Sequence, residues 1–254
     1  MESNSIVIAP TSRKRTAWYA VWLVLGYLFA QFVGSVLVGL MWGIGVGIEA
    51  GLHGNKMPAH LKPGIPVLAW SITFGMLLGA VWVTAFTWRY AKSWLHEAGA
   101  TGIAWRAPLR RDGYVVAALL SVALVILVTT VEHFLPPDPS QLTGPMQQLS
   151  ASHGLPHVLF IIMAVAIAPP LEEFIFRGAA FAAVARGFGT VAAVSTTTLA
   201  FVLLHAADKI HYWPGFLLVG CLALAAVFLR LRYRSLWPGI LMHACYNGLL
   251  ILLS

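Results

Sequence analysis

Residues 156–186 read PHVLFIIMAVAIAPPLEEFIFRGAAFAAVAR, an apolar run that contains two prolines, two glutamates and an arginine near its middle. About 20 apolar residues are enough to cross the hydrocarbon core of a bilayer as a helix. This run is longer, so it predicts a transmembrane helix that is tilted, broken or extended out of the bilayer. Pro169 and Pro170 mark the expected break, because proline removes a helical hydrogen bond and clashes with the preceding turn.

The rest of the chain has the same apolar character. Of its 254 residues, 59% are hydrophobic and only 10% are charged, whereas a water-facing surface is usually about a quarter to a third charged. This composition excludes soluble enzymes and nucleic-acid-binding proteins. We predict an all-α polytopic transmembrane helical bundle of seven to eight spans, with apolar runs near residues 17–48, 64–88, 114–131, 156–186, 190–207, 213–229 and 237–253.

The basic residues predict the orientation of this bundle. Most of the 16 Lys and Arg residues fall in segments that the span map places on one side of the membrane: Arg13, Lys14, Arg15, Arg89, Lys92, Arg106, Arg110, Arg111, Arg186, Arg230, Arg232 and Arg234. The positive-inside rule then places the N-terminus in the cytoplasm. The first apolar run exceeds the roughly 7–15 residues of a signal-peptide core, so we expect a retained span. Short loops and only two cysteines favour a prokaryotic plasma membrane.

Two acidic residues lie deep inside the fourth run. A charge at mid-membrane costs at least about 2.5–3.5 kcal/mol, so an intramembrane carboxylate points to a functional site. Glu173 and Arg177 are four residues apart and share a helix face, which predicts an ion pair. Glu172 lies about 100° around the helix and faces a neighbouring helix without a partner in this segment. Burial suits such a carboxyl group to acid/base chemistry, although both glutamates could instead fasten helices together through Arg177.

Two histidines, His205 and His243, also lie inside predicted spans. Asn247 follows His243 by one helical turn, so the two side chains share a face and could present N–H donors toward one point. Counting along straight helices places His205 about 20 Å from the inner membrane surface but His243 only about 10 Å from it. We therefore expect tilted or broken helices to bring these groups together.

The order of these polar residues resembles the CPBP (ABI) group of intramembrane endopeptidases, which includes type II CAAX prenyl proteases and proteins linked to bacteriocin self-immunity. Three motifs of that group appear in sequence on successive apolar segments within residues 156–250: EExxxR as Glu172-Glu173-Phe-Ile-Phe-Arg177, FxxxH as Phe201-Val-Leu-Leu-His205, and HxxxN as His243-Ala-Cys-Tyr-Asn247. The resemblance divides the chain into an N-terminal transmembrane region with a basic cytoplasmic segment, residues 1–155, and a CPBP-like catalytic core, residues 156–254.

The resemblance implies hydrolysis of a peptide bond within the membrane. Glu172 and His205 would bind and activate a water molecule, and His243 with Asn247 would stabilise the oxyanion, a role that suits preorganised donors. Three residues would support the site, namely Glu173, Arg177 and Phe201, the last of them by packing. The implied partners are the lipid bilayer and a membrane-associated peptide or protein, prenylated or otherwise lipidated, with no nucleic acid.

Other chemistries remain open at this point. Glu172, His205 and His243 could instead bind a divalent metal such as zinc, but the chain has no HExxH motif and Asn is a poor zinc ligand, so we favour catalysis without a cofactor. Cys245 and Ser195 lack a base that would activate a nucleophile. Intramembrane Glu, His and Arg also form proton-coupled transporter sites, and a non-proteolytic immunity or partner-binding protein is a further alternative.

Overall fold

The computed structural model describes residues 10–54, 62–138, 140 and 144–253, with side chains from residue 14 onward. Within these ranges every regular element is helical, and five helices are long and apolar enough to cross a membrane. The predicted all-α transmembrane bundle is confirmed. The helices are α1 (Pro10–Leu52), α2 (Ile65–Ala91), α3 (Asp112–Phe134), α4 (Pro145–Ser150), α5 (Leu155–Ile162), α6 (Ala168–Glu173), α7 (Ala180–Leu204), α8 (Ala206–Lys209), α9 (Pro214–Tyr233) and α10 (Trp237–Leu253).

The number of spans depends on one glycine. The fourth membrane-length helix runs from Leu155 to Leu204 without an intervening loop, but Gly189 inside α7 has φ 89° and ψ 170°, which is not helical. Glycine adopts this positive φ because it has no Cβ. The kink lies between the fourth and fifth predicted spans. If the fourth membrane-length helix is divided at this kink and the 17-residue α10 is included, the apolar helical segments correspond approximately to the seven predicted runs.

The expected break at Pro169 and Pro170 is wrong. Both prolines lie in the first turn of α6, where proline's missing N–H is tolerated. The chain passes from α5 into α6 through a π-helical segment, Met163–Ile167, in which the Ala168 N–H donates to the Met163 carbonyl. This wider turn, rather than a gap in the helix, accommodates the prolines.

A second π-helical segment, Phe174–Ala179, follows α6 directly, and there the Ala180 N–H donates to the Ile175 carbonyl. We call Met163–Ile167 the first π segment and Phe174–Ala179 the second π segment. Such widened turns are rare and often lie at functional sites. The short helix between them, α6, carries both intramembrane glutamates.

Glycines bring α1 and α2 into close contact. A Cβ at Gly75 would lie 2.7 Å from the Gln31 carbonyl oxygen, and one at Gly79 would lie 2.7 Å from the Tyr27 ring. By contrast, Gly39 and Gly43, which recur at the same four-residue spacing, have open space around them. The spacing therefore indicates helix packing in α2 but not at these two positions of α1.

The segment between α2 and α3, residues 92–111, folds back on the junction of α9 and α10; we call it the 92–111 loop. The Leu236 N–H donates to the Ala104 carbonyl at 3.0 Å, and the Ser235 hydroxyl donates to the Arg106 carbonyl at 2.5 Å. Ala104 is fully buried and has φ 61°, a conformation that non-glycine residues rarely adopt. The surrounding contacts hold this loop in one conformation.

We predict that Gly75→Ala destabilises the protein by about 1–3 kcal/mol, because the new methyl group would overlap a backbone oxygen that cannot rotate away. Gly43→Ala gains the same helix propensity and meets no neighbour. Thermal unfolding in detergent should therefore show a lower midpoint for Gly75→Ala only. Equal midpoints for the two variants would contradict the close approach of α1 and α2.

Candidate active site

The two intramembrane glutamates are buried side by side on α6. Glu172 is 9% exposed and Glu173 is 1% exposed. One Glu173 carboxylate oxygen lies 3.3 Å from Nη1 of Arg177, which is itself 1% exposed. The predicted pairing at four residues is therefore present, although the turn between the two residues is π-helical. No guanidinium nitrogen of Arg177 makes an aligned hydrogen bond to another described residue, so this contact is mainly electrostatic.

His243 of α10 lies between the two carboxylates. Its Nδ1 donates to Glu173 at 3.1 Å, and its Nε2 lies 4.0 Å from Oε2 of Glu172. The imidazole is 3% exposed. The packing of α10 against α6 thus removes the difference in depth that straight helices would give. Glu172, which has no partner on its own helix, faces a histidine from another.

Phe201 of α7 fills the space beside this cluster. The Arg177 guanidinium lies 4.0 Å above the centre of the Phe201 ring, the distance of a cation–π contact. The His205 and His243 rings lie 4.7 Å and 6.0 Å from the same centre. The ring is fully buried. Phe201 therefore separates the basic groups and restricts the orientation of each.

His205 ends α7 and has one ring nitrogen engaged. Its Nδ1 lies 2.9 Å from the Phe201 carbonyl, which can only accept a hydrogen bond, so Nδ1 carries the proton. In the neutral ring Nε2 is then free to accept. No hydrogen bond or ion pair joins His205 to Glu172 among the residues that the structure describes. Ring contacts of Phe201 link His205 to His243, which lies 4.0 Å from Glu172.

Asn247 contacts the first π segment rather than His243. Its Nδ2 donates to the Ala164 carbonyl at 2.7 Å. The expected convergence of His243 and Asn247 donors on one point is therefore not formed directly, since each side chain has its own partner. A primary amide has a second N–H, which leaves one donor of Asn247 for another acceptor.

The sequence interpretation missed two groups near the site. Tyr27 of α1 is 1% exposed, forms a side-chain hydrogen bond with Gln31 and interacts electrostatically with Glu172. The four-residue spacing of these polar residues in an otherwise apolar span was the available indication. Arg230, counted above among residues at the membrane boundary, is instead 1% exposed inside the bundle. The count of basic residues could not distinguish it from the others.

The alternative metal ligands considered from the sequence are Glu172, His205 and His243. Zinc would need nitrogen and oxygen donors about 2.0–2.2 Å from one point. His243 directs Nδ1 to Glu173, and the Nε2 of this ring lies 4.0 Å from Glu172. Within the described ranges no group of three His, Cys, Asp or Glu side chains is arranged to hold a metal ion.

We predict that Glu173→Gln destabilises the protein by about 3–5 kcal/mol, because it leaves the buried Arg177 charge without its carboxylate. The matched control is Glu97→Gln, which removes an exposed ion pair with Arg186 and should cost at most about 1 kcal/mol. Unfolding midpoints in detergent compare the two variants. Similar losses would show that Glu173 does not neutralise a buried charge.

One family model matches part of the chain. Residues 154–249 match the model of the type II CAAX prenyl endopeptidase Rce1-like family. The matched range contains both π segments, α6 and all the residues of the three motifs. No curated protein and no solved structure matches the chain. Residues 154–249 of this membrane-embedded chain, somewhat more than a third of its length, are therefore similar to the Rce1-like family of type II CAAX prenyl endopeptidases, a similarity that supports a membrane endopeptidase in general.

Proposed function

We propose that the protein is an intramembrane endopeptidase of the glutamic type, in which Glu172 activates water to hydrolyse a peptide bond. The observation that carries the proposal is the pair of adjacent buried carboxylates that share His243 across two helices, inside the segment that matches the endopeptidase family. Buried carboxylates in an apolar bundle are costly and are retained mainly for function. The two carboxylates have different partners, and we assign their separate roles from this difference.

Glu172 is the better base of the two. Glu173 already contacts Arg177 and His243 at hydrogen-bonding or ion-pair distance. Glu172 lies 4.0 Å from the nearest imidazole nitrogen, farther than the roughly 2.6–3.2 Å of a direct hydrogen bond. A carboxylate that is not held in a close ion pair can accept a proton from water. Glu173 then acts as a supporting residue together with Arg177 and Phe201.

Glu172 takes part in two proton transfers in the proposed reaction. Glu172 and His205 bind a water molecule, and Glu172 takes one proton as the water oxygen attacks the scissile carbonyl carbon. The carbonyl oxygen becomes an oxyanion, and Glu172 returns the proton to the amide nitrogen as the C–N bond breaks. The products are a carboxylic acid and an amine, and the acid passes its proton to the amine to give a carboxylate and an ammonium, so no other reactant is needed.

His243 and Asn247 supply the proposed oxyanion donors. Because Nδ1 of His243 is held by Glu173, its Nε2 is the nitrogen that faces Glu172, and this role requires a proton on Nε2 as well. Asn247 contributes the N–H that it does not use on the Ala164 carbonyl. Donors fixed in advance are worth most in a site that excludes bulk water. Binding of substrate would have to bring these two donors to one oxygen.

We propose a substrate that carries a lipid, such as a prenylated peptide, and that reaches the site from the bilayer. Large hydrophobic side chains are exposed on the outer faces of the helices, among them Trp22, Phe29 and Phe32 of α1. A lipid-anchored segment would be concentrated beside such a surface. The proposed location is a prokaryotic plasma membrane with the N-terminus in the cytoplasm, as the distribution of basic residues predicts.

We predict that Glu172→Gln lowers kcat for a prenylated peptide at least about 100-fold, because loss of a general base typically costs that much or more. Glu132→Gln is the matched control, since it makes the same change at an exposed position of α3. Purified proteins in detergent are compared by mass spectrometry of the cleaved peptide. Retention of wild-type cleavage by Glu172→Gln would exclude Glu172 as the base.

We further predict that chelation of divalent cations leaves cleavage by the wild-type protein unchanged, because no three His, Cys, Asp or Glu side chains of the described residues are grouped to hold a metal ion. Loss of cleavage with a chelator, followed by recovery on addition of zinc, would assign Glu172, His205 and His243 to a metal site. A transport or immunity phenotype that depends on Glu172, in a protein that cleaves no peptide, would instead favour the transporter or partner-binding alternatives.

A further inference from the structure

Arg230 of α9 is a buried arginine without a carboxylate partner. It is 1% exposed, and none of the ion pairs between described residues includes it. A buried charge is costly unless it is hydrogen-bonded. Its guanidinium lies 4.2 Å from the centre of the Phe181 ring, and its N–H groups donate to backbone carbonyls. The reason for retaining this charge must therefore be sought in those carbonyls.

The three carbonyls belong to two different parts of the fold. Nε donates to the carbonyl of Arg177, inside the second π segment. Nη2 donates to the carbonyls of Gly102 at 2.5 Å and Ala100 at 3.3 Å, both in the 92–111 loop. One planar guanidinium therefore joins the loop to the backbone that immediately follows Glu172 and Glu173. Such a fork presents donors in fixed directions, which a lysine ammonium does not.

Other contacts show that the 92–111 loop is packed tightly on this backbone. A Cβ at Gly178 would lie 3.1 Å from both Ile103 and Leu236, so the glycine permits close approach. Trp105 makes an edge-on contact with Phe174 at 5.5 Å and contacts Trp237 at 4.8 Å. The loop thus touches the second π segment on either side of the Arg177 carbonyl.

The first π segment has a comparable support, because Asn247 donates to the Ala164 carbonyl. Each π segment that flanks α6 therefore has one carbonyl bonded to a side chain from a different helix, Asn247 of α10 or Arg230 of α9. A π-helical turn is less regular than an α-helical turn. Hydrogen bonds donated by side chains of other helices therefore stabilise it. The angle at which α6 presents its two carboxylates depends on both turns.

We propose that Arg230 is a positioning residue: it holds the second π segment against the 92–111 loop so that Glu172 and Glu173 face His243. This inference rests on the proposed peptide-bond hydrolysis for its effect on rate, but its structural effect does not. A displacement of about 1 Å at a catalytic group costs up to about 100-fold in rate. Arg230 does not touch the carboxylates and acts only through the backbone of Arg177.

The test compares Arg230→Met and Arg230→Lys with Arg186→Met. Arg186 of α7 also binds the 92–111 loop, through the Thr101 carbonyl at 2.7 Å and the Glu97 carboxylate, but it does not contact the second π segment. We expect kcat for the prenylated peptide to fall about 100-fold in Arg230→Met and about tenfold in Arg230→Lys, with KM within about threefold of wild type. Arg186→Met should remain within about threefold of wild type in both constants.

Amide hydrogen exchange gives a second readout that needs no cleavage. Residues 172–180 should exchange at least about tenfold faster in Arg230→Met than in the wild type, whereas Arg186→Met should leave their exchange unchanged. Wild-type kinetics and exchange in Arg230→Met would overturn the proposal. Equal changes in Arg230→Met and Arg186→Met would also overturn it, because they would indicate loop anchoring alone. If the wild-type protein cleaves no peptide, the proposed function fails while exchange still decides the role of Arg230.

Discussion

Burial of two adjacent carboxylates in an apolar bundle is the constraint on which the arrangement around α6 depends. Each charge must be offset by partners that also lie away from water, because an unpaired buried charge is expensive. Arg177 supplies a cation from the same stretch of chain, and His243 supplies an imidazole from α10. The Phe201 ring packs against both basic groups. The site is thus an ionic cluster enclosed by aromatic and aliphatic side chains.

The geometry of this cluster is set by the π segments on either side of α6. An ordinary helix with the same sequence would rotate the glutamates differently relative to His243, since each residue advances about 100° in an α-helix and less in a wider turn. The two external donors, Asn247 and Arg230, bond carbonyls within these segments. Asn247 therefore combines two roles in our interpretation: it supports the first π segment, and it can offer its second N–H to the substrate.

The N-terminal helices contribute to the site by packing rather than through a motif. Close contact at Gly75 and Gly79 presses α2 against the part of α1 that carries Tyr27 and Gln31. Tyr27 in turn interacts electrostatically with Glu172. The family match begins only at residue 154, so the environment of the proposed base includes a part of the chain that the match does not cover. The division at residue 155 stays a prediction about sequence and does not separate the contacts of the site.

The sequence by itself determined the class of fold and the chemical content of the site. Hydropathy is a local property, so apolar runs located the helices, and the spacing of Glu173 and Arg177 was enough to predict their ion pair. Only the structure showed which side chains meet, because those contacts depend on how the helices cross and on how each helix is rotated. It placed His243 between the glutamates, directed Asn247 to the Ala164 carbonyl, and turned Arg230 inward. It also placed the kink at Gly189 rather than at the prolines, because a π turn can accommodate proline without ending the helix. Side-chain direction across an interface follows from tilt and packing, which one-dimensional spacing does not contain.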